Sequence, residues 1–249
     1  MRKGQAQQMV SLIQRPATLA EIALQEIRTA IVEGTLPLGS ALSEGQLATS
    51  LGISKTPVRE ALAQLRMEGL VTIVPQSGTF VFTPSAAEVS EICEFRQTLE
   101  AAALRLSIAG NRLRLIDGLA EVCVGMDKAH AAGDESTYLQ LDGAFHELLF
   151  ANAGNRYLAD AYARLMPKVK ALRTHLAARP EHTQCYEEHM QILDAIRRRK
   201  EREYMDILSR HIVRIHSTYT RLIGDAPDAP PRSFSLRALR GGPNPAAAV

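Results

Sequence analysis

The sequence predicts a mainly α-helical protein, in which an N-terminal winged helix-turn-helix of three helices and a β-hairpin wing precedes an all-α bundle of about six helices. Aromatic residues make up only 5% of the 249 residues and Trp is absent, a composition typical of aliphatic cores between packed helices. The first 83 residues contain segments of helical periodicity and two short β-type runs. After residue 84 the β-type runs stop and only helical periodicity continues.

The three N-terminal helices each begin at a residue that can accept a hydrogen bond from the first helical turn. These residues are Thr18, Ser43 and Ser54, and the first two belong to capping boxes. The β-type runs at residues 70–74 and 79–82 are joined by a Gly-containing turn, which predicts a hairpin. Helix, short helix, tight turn, helix and hairpin is the order of a winged helix-turn-helix.

The helical half begins after Pro84, and Gly or Pro residues separate most of its segments. We expect Pro167 to kink the fourth of these helices. The six predicted helices span residues 87–109, 112–132, 135–152, 155–178, 181–199 and 202–222. The predicted organisation is a flexible N-terminus at 1–15, a DNA-binding domain at 16–83, a helical domain at 84–223 and a disordered tail, rich in Pro, Gly and Ala, at 224–249.

The composition also excludes several classes of protein. No run of about 18 uncharged apolar residues could cross a membrane, and the opening residues lack a secretory apolar segment. Cys93, Cys123 and Cys185 are scattered without CxxC spacing, which favours reduced thiols over a disulfide framework. The sequence therefore predicts a cytoplasmic protein. Its net charge of +2 includes no basic tail, so any nucleic-acid contact must come from a local patch.

The third helix carries such a patch. Lys55, Arg59 and Arg66 share one face, where the second helix of a helix-turn-helix meets phosphates and guanine edges in the major groove. Ser54 and Thr56, at the start of the helix, can add hydroxyl or backbone N–H contacts to phosphate. The alternative is that three cations on one helix face form an ordinary solvated surface.

Residues 33–81, "EGTLPLGSALSEGQLATSLGISKTPVREALAQLRMEGLVTIVPQSGTFV", resemble the DNA-binding domain of the GntR family of bacterial transcription factors. The family motifs S-x-T-P-V-R-E-A-L and E-G-L-V match residues 54–62 and 68–71. The chain departs from the common pattern at Gly45 and Lys55, so no operator sequence can be inferred. The resemblance implies that operator DNA is contacted by Ser54, Lys55, Thr56 and Arg59, and in the minor groove by the wing turn Gln76, Ser77 and Gly78.

A second set of polar residues lies on helix faces that are otherwise apolar. The segment "YLQLDGAFHELLF", residues 138–150, places Asp142 and His146 one turn apart, and His189 and His211 lie on apolar stripes of two later helices. Any one of them could be an ordinary hydrogen-bonded core residue. An unpaired buried polar group costs about 1–3 kcal/mol, and one divalent cation would satisfy all four. Three imidazoles and a carboxylate suit Zn²⁺, Ni²⁺, Mn²⁺ or Fe²⁺.

The order D-x-x-F-H, then E-H-x-x-I-x-x-A-I, then a His on the last helix resembles the FCD effector-binding domain of the FadR subgroup of GntR regulators, over residues 87–222. This resemblance implies one divalent metal ion per chain, with Zn²⁺ preferred over Ni²⁺, Mn²⁺ or Fe²⁺, held by Asp142, His146, His189 and His211. The other histidines, which fall outside the pattern and are expected to be surface or supporting residues, are His130, His175, His182 and His216.

The resemblance also places an Arg beside the ligand pocket, where "EFRQTLEAAAL" supplies Arg96 and Glu100. The alternative for these two residues is an ion pair within the helix at i,i+4. Arg173 is a second candidate for the same role. A metal with open coordination positions next to an Arg binds carboxylates, so we expect a small organic acid as the effector.

These observations favour a homodimeric, non-enzymatic DNA-binding regulator, a repressor controlled by the acid. One alternative is a metal-dependent hydrolase or other metalloenzyme with an appended DNA-binding module. Against it, four protein ligands fill a tetrahedral zinc site, and Glu147 and Glu188 are expected to point away from the metal. A third alternative is a metal that only stabilises the helical bundle.

Overall fold

A computed structural model describes residues 16–176 and 179–224, except for the side chains of 176, 179–182 and 222–224. The predicted flexible N-terminus, and the predicted tail from residue 225 onwards, lie outside the described residues. The described elements are α1 Leu19–Val32, β1 Ala41–Leu42, α2 Glu44–Leu51, α3 Lys55–Met67, β2 Val71–Val74, β3 Gly78–Val81, α4 Ala86–Ala132, α5 Glu135–Ala151, α6 Arg156–Leu176, α7 Arg179–Arg197 and α8 Glu201–Gly224. The mainly helical fold with an N-terminal wing is confirmed.

The N-terminal helices begin where the sequence predicts. Thr18 and Glu21 form the capping box of α1, and the Ser43 side chain accepts a hydrogen bond from the first turn of α2. Gly52 ends α2 with a φ of 69°, a left-handed conformation that glycine adopts without a steric penalty. Ser54 is the N-cap of α3 but makes no side-chain hydrogen bond to that helix.

The wing contains one strand more than the sequence predicts. β2 and β3 pair as an antiparallel hairpin, in register from Val71 opposite Val81 to Val74 opposite Gly78. The extra strand, β1, pairs with β3 on its other edge, in the order β1-β3-β2. β1 has only two residues, which is too short for alternation of apolar and polar residues to reveal it.

The first two predicted helices of the C-terminal half form one long element, α4. It is interrupted at Asn111, whose φ of −152° and ψ of 82° are not helical, so the chain bends at the predicted boundary. α6 continues through Pro167 as a single helix. The ends of α5, α6, α7 and α8 lie within a few residues of the predicted ends. None of the described helices is long and apolar enough to span a membrane.

α6 joins the two halves of the molecule. Its His175 Nε2 lies 3.0 Å from the carbonyl oxygen of Ile31 at the end of α1. Its Lys168 Nζ, which pairs with Glu88 of the helical half at 2.6 Å, also lies 5.7 Å from the centre of the Phe82 ring in the N-terminal half. One hydrophobic cluster of buried residues runs through the winged helix-turn-helix and the helical bundle. The bundle therefore packs directly against the first helix of the N-terminal half.

Candidate functional site

Three histidines from three helices meet inside the bundle. His146 on α5, His189 on α7 and His211 on α8 are all completely buried. The distances between their ring centroids are 5.1, 5.2 and 4.7 Å. One nitrogen of each ring lies within 4.8 Å of a nitrogen of the other two, so this group, the histidine cluster, could hold a metal ion.

Two nitrogens of the histidine cluster lie as far apart as two ligands of one metal ion. His146 and His211 each direct Nδ1 at a carboxylate 2.7 Å away, on Glu100 and Glu188 respectively, which leaves Nε2 of both rings for another partner. The Nε2 atoms of His146 and His189 are 3.3 Å apart. Two imidazoles bound to one tetrahedral Zn²⁺ have nitrogens about 3.3 Å apart. Nε2 of His211 and Nδ1 of His189 have no hydrogen-bond partner.

Glu188 supports the cluster from its outer side, against Nδ1 of His211 rather than Nε2, the nitrogen left for a metal ion. Its Oε2 is 2.7 Å from His211 Nδ1, and Arg214 donates to both of its oxygens at 3.0 and 2.7 Å. Burial raises the pKa of Glu188, but the hydrogen bonds from His211 and Arg214 lower it by a larger amount, so the pKa is about 2. An ionised carboxylate therefore fixes the His211 ring, as metal-binding histidines commonly require.

Glu100 plays the corresponding part for His146. Its other oxygen accepts from Arg96 Nε at 2.8 Å and from the Tyr162 hydroxyl at 3.3 Å. Arg96 and Glu100 are 1% and 0% exposed, so the i,i+4 ion pair considered for them is present and buried. Burial raises the pKa of Glu100, but Arg96 and His146 hold it below its usual range. Arg96 Nη2 remains without a hydrogen-bond partner.

Asp142 lies at the edge of the histidine cluster, next to Arg173. Asp142 Oδ2 is 2.5 Å from Arg173 Nη1, and Asp142 Oδ1 is 3.7 Å from His189 Nδ1. The close ion pair lacks hydrogen-bond alignment, which leaves both terminal nitrogens of Arg173 without a hydrogen-bond partner. Burial raises the pKa of Asp142, but Arg173 and the imidazoles lower it more, so the carboxyl is ionised at neutral pH.

The imidazoles of His189 and His211 are neutral at pH 7. Burial lowers the pKa of His189 well below its usual value, with a further contribution from His211. Burial is also the largest cause for His211, whose pKa falls to about 4. A neutral imidazole is the form that binds a metal.

The predicted DNA-contacting residues all lie on the surface of the N-terminal half. Each of Ser54, Lys55, Thr56, Arg59 and Arg66 is exposed on α3 or at its start. Arg59 Nε is 2.7 Å from Glu44 Oε2, in an ion pair in which the Arg59 side chain stays 62% exposed. The wing turn of Gln76, Ser77 and Gly78 is exposed as well. The structure therefore presents a basic helix and a wing tip to solvent.

Comparison with known proteins identifies the family. Residues 19–81 match the family described as bacterial regulatory proteins, gntR family, and residues 91–214 match the FCD domain. A relative from Agrobacterium vitis, an uncharacterized HTH-type transcriptional regulator, is 37% identical over 134 residues, which are 53% of this chain and 78% of the relative. The chain belongs to the GntR family and carries an FCD domain.

Two further comparisons cover more of this GntR-family chain. The gluconate operon transcriptional repressor of Bacillus licheniformis is 26% identical over 182 residues, which are 73% of this chain and 74% of the relative. The solved structure of E. coli McbR/YncC has a TM-score of 0.68 and 20% identity, over 84% of this chain and 99% of that chain. At this identity the structural match establishes the fold alone.

The sequence interpretation of this GntR-family chain found the histidines but missed residues that support them. Glu188 and Arg214 are adjacent on neighbouring helices only because α7 and α8 pack against each other. A carboxylate directly before a metal-binding His is a weak signal, because its direction around its own helix does not show which neighbouring helix it faces. The sequence offers no signal for Tyr162, because its contact with Glu100 depends on how α6 packs against α4.

Proposed function

We propose that the protein is a homodimeric transcriptional repressor of the GntR family, whose affinity for operator DNA is controlled by a small organic acid bound at a divalent metal ion. Residues 16–83 would bind DNA, and residues 84–223 would bind the effector and dimerise. The observation that supports this best is the buried histidine cluster beside Arg173, whose guanidinium pairs with Asp142 through Nη1 and leaves Nη2 without a partner. A cation next to a guanidinium with an N–H group to spare is a carboxylate-binding arrangement.

The exposed face of α3 supports the DNA-binding part of the proposal. Lys55, Arg59 and Arg66 are free of the core, so they can meet phosphates and guanine edges in a major groove. Ser54 does not use its hydroxyl to cap α3, so the hydroxyl and the first-turn N–H groups can contact a phosphate. Gln76, Ser77 and Gly78 would reach the adjacent minor groove. A dimer would place two such heads on the two half-sites of a symmetric operator.

The nitrogens of His146, His189 and His211 support a metal ion, Zn²⁺ in the first place and Ni²⁺, Mn²⁺ or Fe²⁺ as alternatives. When bound, a divalent cation that takes a further ligand beyond the four from the protein would supply an electrostatic anchor for a carboxylate. Asp142 would be the fourth ligand, as the sequence predicts. Its position opposite His189 Nδ1 also suits a second role, in which it orients His189 as Glu100 orients His146.

Substitution of Asp142 distinguishes these two roles. In the orienting role, Asp142→Asn should weaken Zn²⁺ binding by roughly 10- to 100-fold, the usual effect of removing a group that orients a ligand. In the direct role, the loss should be larger because a coordinating charge is removed. Competition between the protein and a chelating dye for Zn²⁺ measures the difference, and Glu147→Asn, a half-exposed acid on the same helix, serves as the control.

The effector would bind against Arg173, with Arg96 and Glu100 forming the wall behind it. Nη2 of Arg173 and Nη2 of Arg96 are both buried without a partner, and an acid would satisfy them. The relative from Bacillus licheniformis is named as the repressor of a gluconate operon, and gluconate is a small organic acid. That name supports both the repressor role and the acid class. Glu100 and Glu188 are committed to His and Arg partners, which supports a binding role over a catalytic one.

The decisive experiment combines metal analysis of the purified protein with a thermal-shift screen. Mono-, di- and tricarboxylates and sugar acids are tested with and without a chelator. We expect at least one acid to raise the melting temperature only in the metal-loaded protein. His211→Ala should abolish that effect, whereas His130→Ala, at an exposed histidine outside the cluster, should keep it. Stabilisation by an acid that persists after chelation would refute the metal-anchored effector site.

A further inference from the structure

A cleft of about 1060 Å³ lies between the two halves of the molecule. α1 of the winged helix-turn-helix forms one wall through Arg28 and Val32, and α5 and α6 form the others. Pockets that bury most of a small organic molecule have volumes of roughly 300–1,000 Å³. The cleft is therefore large enough for a ligand much bigger than acetate or gluconate.

Arg173 links this cleft to the histidine cluster. Its side chain is 5% exposed and lines the cleft, its Nη1 lies 2.5 Å from Asp142 Oδ2, and its Nη2 has no partner. Tyr162 also lines the cleft, and its hydroxyl donates to Glu100, which in turn holds His146. A buried guanidinium that pairs with one carboxylate through Nη1 can still donate to a second carboxylate through Nη2. The deep end of the cleft thus has the chemistry of an acid-binding site.

The remaining lining has a different character. Apolar atoms make up most of its surface, and the apolar side chains include Leu139 and Phe150 from α5 and Ala163 and Met166 from α6. Polar residues, among them Glu33, Glu135 and Glu147, share the lining. Lys170 lies at the cleft with its Nζ 2.8 Å from Glu147 Oε1, in a partly exposed ion pair. A cationic end and an apolar length together match an organic anion with an apolar body.

We propose that this interdomain cleft binds the apolar body of an amphipathic organic acid whose carboxylate pairs with Arg173. The inference rests on the proposed function in one respect, namely that the effector is a carboxylic acid. It adds a second part to the ligand, and it places that part against α1.

The position of α1 gives such a ligand a direct route to the DNA-binding helix. Arg28 lines the cleft and donates to Glu68 through Nε at 2.9 Å and Nη2 at 2.6 Å. Glu68 is the C-cap of α3, the helix that carries the basic patch. A body that fills the cleft contacts the same residue that holds the end of α3. A long acid should therefore change DNA affinity more than a short one that binds only at Arg173.

Calorimetric titration of the zinc-loaded full chain with acetate and with 4-phenylbutyrate tests the inference. Both probes carry one carboxylate, and only the second has an apolar body. We expect 4-phenylbutyrate to bind at least tenfold more tightly than acetate. Ala163→Phe, which adds a ring at an exposed position on the cleft wall, should remove this preference and leave acetate affinity unchanged.

Two further variants make the result specific. Ala151→Phe narrows the cleft from α5 and should act like Ala163→Phe, so a folding defect in one variant does not end the test. Ala131→Phe makes the same substitution at an exposed alanine on α4 that does not line the cleft, and should behave as the wild type. Unchanged acetate binding shows that each variant has kept the metal site.

The outcomes separate this inference from the proposed function. If acetate binds only with zinc and 4-phenylbutyrate binds no more tightly, the cleft inference fails and the metal-anchored effector site stands. If 4-phenylbutyrate binds equally well without zinc and loses affinity in Ala163→Phe, the cleft inference stands and the metal anchor fails. A tenfold preference that survives in both Ala163→Phe and Ala151→Phe places the apolar body elsewhere and overturns the inference.

Discussion

Replacement of Glu188 by Gln should weaken metal binding without unfolding the protein. Glu188 is the charged acceptor that fixes the ring of His211 through a 2.7 Å contact, and Arg214 holds it in place from the other side. Gln keeps the size of the side chain and one acceptor oxygen. It loses the negative charge and presents an NH₂ group to partners that are themselves donors, so one of the two interactions is lost.

The expected loss follows from these contacts. A hydrogen bond to a charged group is worth about 1.5–3 kcal/mol, against about 1 kcal/mol for a neutral one. Glu188 keeps 14% of its side-chain surface exposed, so water recovers part of the difference. Removal of a carboxylate that orients a metal-binding His typically costs roughly 10- to 100-fold in affinity. We therefore expect Zn²⁺ affinity to fall by this factor, which corresponds to a loss of about 1.4–2.7 kcal/mol in binding free energy.

The neighbouring residue supplies a matched control. Glu187 is exposed, and Glu187→Gln changes the net charge by the same amount one position away. Both variants are titrated against a chelating dye of known zinc affinity, and circular dichroism checks the helix content. Equal zinc affinities for Glu188→Gln and Glu187→Gln would show that the contact with His211 does not position a metal ligand.

Three other predictions address separate parts of the molecule. Arg59→Ala should weaken binding to a selected operator duplex and reduce the slope of log affinity against log salt by about 1, as measured by fluorescence anisotropy; an unchanged slope would exclude a phosphate contact. Gly143→Ala should stabilise the protein by up to about 1 kcal/mol in denaturant unfolding, because Ala favours a helix more than Gly does. The added Cβ would lie 3.3 Å from Lys170 Cε, on a flexible side chain that can move aside, and a loss of stability would mean that it cannot. Burial lowers the pKa of His175, more than its backbone hydrogen bond to Ile31 raises it, so stability should fall as the pH drops from about 6.5, the pKa of an unfolded His. His175→Ala should remove that part of the pH dependence, which equilibrium unfolding at several pH values checks.

The helix boundaries could be predicted because local chemistry determines them. Thr18 and Ser43 accept the hydrogen bonds of a first turn wherever they precede a helix, and Gly52 permits a left-handed end. Asn111 interrupts α4 at the predicted boundary even though the chain stays helical on both sides. β1 could not be predicted, since its two residues are extended only because β3 offers them an edge.

The inward-facing residues of the site could be predicted from the sequence, but the residues that surround them could not. Apolar stripes show that Asp142, His146, His189 and His211 face inward, and four inward polar groups on three helices predict a shared ligand. The stripe does not show which residues of other helices lie opposite. The contacts of Glu188 with His211, and of Arg173 with Asp142, depend on how α6, α7 and α8 pack, which no single helix encodes.

α6 connects the acid site to the DNA-binding half through a few contacts of modest strength. Arg173 faces Asp142, and two residues later His175 bonds the end of α1, while Lys168 Nζ lies 5.7 Å from the centre of the Phe82 ring, directly after β3. A single hydrogen bond or cation–π contact contributes about 0.5–1.5 kcal/mol. Allosteric couplings are typically about 1–3 kcal/mol, which corresponds to a 5- to 150-fold change in affinity. A shift of α6 that breaks the His175 and Lys168 contacts therefore has the right magnitude for a regulatory switch, and no larger rearrangement of the bundle is needed.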